Sequence, residues 1–180
     1  NLNLPENSFM HLLKFKPEIF YLLNNGKIEK YRNKVTTFPG IQFDSIEQSD
    51  AKIVKIISDY FFKVNLNFTL IKNYLADAIN TIVSKNGIYK PEELTLDVSV
   101  RQFQREFKKV TGFSPKEFSS IVRINSLTSE LVKENVSLRD IFYNFGFYDQ
   151  AHFNKEFKKI TGANPSLFES RQKLIRYLNL

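Results

Sequence analysis

The sequence predicts a mainly α-helical chain, and three observations carry that expectation. Apolar residues recur at three- and four-residue spacing along most of the 180 residues. Ser, Asp and Gly stand where helices would start and stop. A sixteen-residue pattern, Phe-x-x-Glu-Phe-Lys-Lys-Val-Thr-Gly-x-x-Pro-x-x-Phe, fills 103–118 and returns 50 positions later at 153–168, with Ile160 for Val110. Nine of the sixteen positions are identical, where unrelated segments would share roughly one. The chain therefore carries one small helical unit twice.

The elements follow in order. Phe9, Leu12, Leu13, Ile19, Phe20 and Leu23 suggest a first helix, which Pro17 would kink or split. Residues 25–48 mix Gly26, Pro39 and Gly40 with polar and aromatic residues and read as a loop or short-strand region. Ser49 or Asp50 caps a helix to about Phe62, with Ile53, Ile56, Ile57 and Tyr60 on one face. A further helix is expected from Phe68 to Lys85, closed by Gly87, with Ile71, Leu75, Ala78, Ile79 and Ile82 as its apolar face.

The repeat begins after Gly87. Pro91 opens a short helix over 91–96, Ser99 caps a helix to Val110, and Gly112 ends it. Ser114-Pro115 places a cap before a first-turn proline and opens a long helix over 115–134, about 30 Å at 1.5 Å per residue. Ser137 with Asp140 resembles a capping box for 137–144, and Gly146 turns the chain. Asp149 caps 150–160, Gly162 ends them, and Asn164-Pro165 starts a last helix. Short helix, turn and basic helix, twice, is a helix-turn-helix pattern.

Composition limits the chemistry. There is no Cys, which excludes disulfides and thiolate chemistry, and two His are too few for a metal site. No apolar run approaches the ~18 residues of a membrane span. No Ser/His/Asp array, phosphate loop or metal-spaced carboxylate pair stands out, so no enzyme activity and no cofactor are expected. Net charge is +7, which suits an anionic partner, nucleic acid being the commonest. The start, Asn-Leu-Asn-Leu-Pro-Glu, lacks an initiator Met and reads as a fragment of a longer chain or as trimmed numbering.

A helical wheel places Val100, Phe103, Phe107 and Val110 on one side of the first basic helix, with Arg101, Arg105 and Lys108 opposite, beside Gln104 and Lys109. In the second copy Phe153, Phe157 and Ile160 form the buried side. Ala151, Lys155 and Lys158 face out, flanked by His152, Asn154 and Lys159. Such a helix can anchor one face in its own core and present the other to a major groove. Arg can pair with guanine, and Gln or Asn with adenine, while Lys at the far end suits phosphates. Arg101, Gln104 and Arg105 have that capacity in the first copy, and Gln150, His152, Asn154 and Lys155 in the second. For a single helix a solvated charged face is the commoner explanation; two matched faces reverse that balance.

Ser99-x-Arg101-x-Phe103-Gln104-Arg105-x-Phe107-Lys108-x-x-Thr111-Gly112-x-Ser114-Pro115 resembles the first helix-turn-helix of the AraC/XylS family of bacterial transcription regulators. Gly146-Phe147-x-Asp149-Gln150-x-His152-Phe153-x-x-x-Phe157-Lys158-x-x-Thr161-Gly162-x-x-Pro165 resembles the signature of the second. The resemblance covers about 69–172. It implies a seven-helix domain with two helix-turn-helix units joined by a long helix, whose recognition helices enter successive major grooves. It maps base contacts onto Arg101, Gln104, Arg105, Gln150, Ala151, His152 and Lys155. Two departures stand out: Glu92-Glu93 replaces the usual Leu-Ala of the first scaffold helix, and Ile141-Phe142 replaces Ile-Ala in the second. The first scaffold is therefore expected to be shortened or shifted.

The expected organisation is an N-terminal region, 1–66, mostly helical and a remnant of a sensor or dimerisation domain, followed by a DNA-binding domain, 67–180. Leu13-Lys14-Phe15-Lys16-Pro17 and Phe20 resemble the end of one family sensor. The expected function is sequence-specific transcription regulation in the cytoplasm, with double-stranded DNA as partner. RNA polymerase and a second copy of the chain are further candidates, and the sequence names no effector ligand. The alternative is a protein-interaction module using a degenerate helix-turn-helix pair.

Overall fold

The computed structural model describes residues 16–24, 26, 28, 31, 50–64, 66–131 and 141–166. They are mainly α-helical, with six α-helices and no strand among the described residues. The chain divides into two compact units, Asn1–Leu70 and Ile71–Leu180.

In the first unit, α1 is Pro17–Leu23 and α2 is Asp50–Lys63. Pro17 opens α1, where proline's missing N–H is harmless in a first turn, and residues 9–15 of the expected first helix lie outside the described residues. Tyr21 and Leu22 are buried, and the Phe20 and Tyr31 rings meet edge-on at 5.4 Å. In α2 Ile53 is buried, and the Tyr60 and Phe61 rings meet at 5.4 Å. Most of the expected loop over 25–48 lies outside the described residues.

The second unit holds α3 (Asn73–Ser84), α4 (Val100–Thr111), α5 (Pro115–Leu131) and α6 (Gln150–Thr161). α3 begins five residues later than its periodicity suggests. Asn67 Oδ1 accepts from the Thr69 amide at 3.1 Å, Phe68–Leu70 forms a 3₁₀ turn, and Lys72 is extended. A local side-chain bond thus takes the backbone that a longer helix would need. Tyr74, Leu75, Ala78, Ile79 and Ile82 form the buried face of α3.

Gly87 closes α3 with φ +77° and donates to the Ile82 carbonyl at 2.8 Å. It also sits directly on α5. A Cβ there would lie 2.3 Å from the Ser119 carbonyl oxygen and 2.8 Å from the Arg123 nitrogen. Both the turn and the close approach require glycine.

α5 walls two aromatic cores. At its start Phe118 meets Phe107 at 5.5 Å, and Phe107 meets Phe103 at 5.4 Å. Further along, Ile124 and Leu127 join Ile141, Phe142, Phe145, Phe147, Phe153 and Phe157 in the second core. The 17 described residues of α5 rise about 25 Å; 132–134 of the expected helix lie outside the described residues.

Candidate nucleic-acid interface

α4 and α6 are built alike because their shared residues include those that stop and bury a helix, and each starts on a side-chain cap. Ser99 Oγ accepts from the Gln102 amide at 3.3 Å, and Asp149 Oδ1 from the His152 amide at 2.6 Å. Both are side-chain N-caps. At the other end Gly112 and Gly162 take φ of 80° and 75°. The threonine before each glycine makes the same contacts twice. Thr111 Oγ1 donates to the Phe107 carbonyl at 2.9 Å and accepts from the Phe113 amide at 3.2 Å. Thr161 Oγ1 does so with Phe157 and Ala163 at 2.9 and 3.2 Å. Each hydroxyl thereby satisfies an amide just past the helix end.

What precedes the two helices differs. The α-helix expected over 91–96 is a single 3₁₀ turn, Pro91–Glu93. Glu93, at the position where the resembled family has an apolar residue, explains the change. Its carboxylate accepts from Lys85 Nζ at 2.7 Å and from the Lys90 amide at 2.8 Å. Those bonds, the Lys85 contact first, hold its pKa below the usual carboxylate range. A side chain serving a tight turn cannot pack as a helix face would. In the second copy 137–140, with the expected Ser137–Asp140 box, lie outside the described residues, and Phe142–Phe145 is a 3₁₀ turn. Phe142 is buried, its ring 6.4 Å from that of Phe153.

α4 is also held from its flank. Glu106 accepts from the Tyr74 hydroxyl, from Lys72 Nζ at 3.1 Å and from Gln102 Nε2 at 3.1 Å. The Tyr74 hydroxyl first, then the Lys72 ammonium, lower its pKa to about 2. The carboxylate thus ties α4 to the start of α3.

The ten residues singled out from the sequence divide between these helices, and all are exposed: Arg101, Gln104, Arg105 and Lys108 on α4; Gln150, Ala151, His152, Asn154, Lys155 and Lys158 on α6. The buried faces are Phe103, Phe107 and Val110 on α4, and Phe153 and Phe157 on α6. Val100, placed by the wheel on the buried side, is 63% exposed. As the first helical residue it has no preceding turn to pack beneath it.

His152 is partly committed. Its Nδ1 accepts from the Tyr148 amide at 3.4 Å, and its ring meets Phe147 edge-on at 5.5 Å. With Nδ1 accepting, a neutral ring carries its proton on Nε2 and offers one donor outward. Lys109 and Lys159 are exposed as well, in the last turns of their helices. The sequence reading gave Tyr148 no role, yet it is 86% exposed immediately before the Asp149 cap. Its signal was an aromatic residue outside the apolar register of the adjoining helix.

Residues 95–171 match a protein-family model described as a helix-turn-helix domain. The segment is similar to helix-turn-helix domains. The match begins after the Pro91–Glu93 turn and runs through α4, α5 and α6. The helix-turn-helix pattern read from the repeat therefore agrees with this match. No curated protein and no solved structure matches the chain. Among the described residues no helix is long and apolar enough to cross a membrane, and no group of His, Asp and Glu could hold a metal ion.

Proposed function

We propose that the chain is a sequence-specific transcription regulator of the AraC/XylS kind, whose α4 and α6 enter successive major grooves on one side of DNA. The carrying observation is two helices with the same caps and buried faces, each turning an exposed basic and amide-bearing surface outward. In this reading Arg101, Gln104, Arg105, Gln150, Ala151, His152, Asn154 and Lys155 face base edges, and Lys108 and Lys158 face phosphates. Residues 67–180 form the DNA-binding domain, and 1–66 belong to a sensor or dimerisation region.

Selection of bound sequences from random duplex DNA, followed by gel shift at rising salt, tests this. A bipartite consensus whose preference over scrambled DNA persists at raised salt is expected. Binding that enriches no sequence and vanishes with salt would leave only phosphate attraction and end the reading.

A second reading, a protein-interaction module that binds RNA polymerase, draws on the 3₁₀ turn standing where the first scaffold helix was expected. Arg105→Ala and Lys155→Ala separate the two. Loss of polymerase binding with DNA binding intact would favour the second.

A further inference from the structure

Arg123 lies on α5, outside both reading faces, and its guanidinium meets groups from both halves of the domain. Nη2 donates to the Gly87 carbonyl at 3.1 Å, in the turn that closes α3. The guanidinium carbon stands 5.5 Å from the centroid of the Phe147 ring, in the turn that leads into α6. Burial lowers the pKa of this arginine, and the Glu156 carboxylate of α6 opposes that shift.

The groups it touches are themselves fixed. The Gly87 carbonyl also accepts from Ser119 Oγ at 2.6 Å, and Gly87 lies against the α5 backbone. The Phe147 ring meets Phe153 edge-on at 5.2 Å, and Phe153 is fully buried. Arg123 Nε is buried with no partner among the described residues. An unpaired buried donor is unfavourable, and it offsets part of what the Gly87 bond and the Phe147 contact contribute.

We propose that Arg123 is a positioning residue that sets α6 in register with the first helix-turn-helix and so fixes the spacing between half-sites that the domain accepts. A planar guanidinium can bond a carbonyl in its plane while a ring lies over its face; a lysine ammonium can hold one or the other. The inference rests on the DNA-reading proposal above for its consequence, though not for its geometry.

The full chain has no cysteine, so Lys109→Cys with Lys159→Cys places spin labels at equivalent exposed positions of the two helices. The parent pair is expected to give one narrow distance distribution. Adding Arg123→Met broadens or shifts it by several ångströms, and Arg123→Lys does not restore it. In random-DNA selection Arg123→Met recovers the same half-sites as the parent, but over several spacings instead of one. A distance distribution unchanged by Arg123→Met, or a spacing preference unchanged, overturns the proposal. Should Arg123→Met fail to fold, Phe147→Leu removes the ring and keeps an apolar side chain; an unchanged distribution there overturns it equally. A parent chain that enriches no DNA sequence would sink the DNA reading, while the label distances still decide what Arg123 does.

Discussion

The two copies of the repeat end their helices identically and hold them in place differently. In both, a threonine hydroxyl and a left-handed glycine stop the helix. Beyond that they diverge. α4 adds to the packing of Phe103 and Phe107 a polar clamp, Glu106 with Tyr74, Lys72 and Gln102. α6 is fastened mainly by rings, Phe142, Phe147, Phe153 and Phe157, against Ile124 and Leu127 of α5. The lesson is that the repeat specifies the helix, while its orientation is specified by the partners outside the repeat, Tyr74 and Lys72 for α4 and Phe142 and Phe147 for α6, that its shared residues meet.

The largest expected effect tests the seam behind the first copy. Gly87→Ala combines a left-handed φ with a Cβ inside the α5 backbone, and should lose about 3 kcal/mol or more in denaturant unfolding. Gly162→Ala has a similar φ but nothing within 4 Å, so about 1 kcal/mol of backbone strain is expected. Equal losses would mean that the Gly87 contact is not tight in solution.

Next comes the contrast between reading faces. Arg105→Ala should lower discrimination between consensus and mismatched DNA about tenfold or more, as expected for a bidentate base contact. Lys155→Ala should lower it less, because a single ammonium lacks the planar two-pronged donor geometry of a guanidinium. Competition gel shifts giving the same loss of selectivity for both would erase the asymmetry.

The clamp gives a smaller effect with a pH signature. Glu106 has its folded pKa lowered to about 2, so its contribution is present above the ordinary carboxylate value of 4.5 and is lost as pH falls towards 2. Glu106→Gln should lower stability at neutral pH by about 1 kcal/mol, a modest value because Lys72 is largely solvated. It should also flatten the acid limb of the stability profile, and melting curves across that window would show whether it does.

The smallest effects concern the caps. Asp149→Ala should cost about 1 kcal/mol and Ser99→Ala about half of that, since the Asp149 bond is shorter and its acceptor is charged. Thermal melts showing the reverse order would place the tighter start on α4.

What could be read from the sequence follows how far each determinant reaches. Ser99, Asp149, Gly112, Gly146 and Gly162 act within four residues, the first two starting and the glycines ending a helix or turn at the expected position. The start of α3 was misread because Ile71 continues an apolar rhythm through a turn that Asn67 makes with its side chain. The first scaffold element was expected to be short, but its reduction to one turn depends on Lys85 reaching Glu93. The exposed positions of α4 and α6 were legible from the wheel, because one buried phenylalanine pair fixes a helix's rotation. Arg123 was not. Its partners lie 36 positions before it and 24 after it, and no local pattern encodes such distances.

The threonine-glycine stop has a consequence for how such a domain can change. Each helix is begun and ended by atoms of its own short segment, and, apart from His152 with its bond to the Tyr148 amide, its outward side chains take no part in either event. Those positions can therefore be rewritten, even exchanged between α4 and α6, without the scaffold registering the edit. New binding preferences can accumulate in this chain as in a cassette, one half at a time, while the joint held by α5 stays the same.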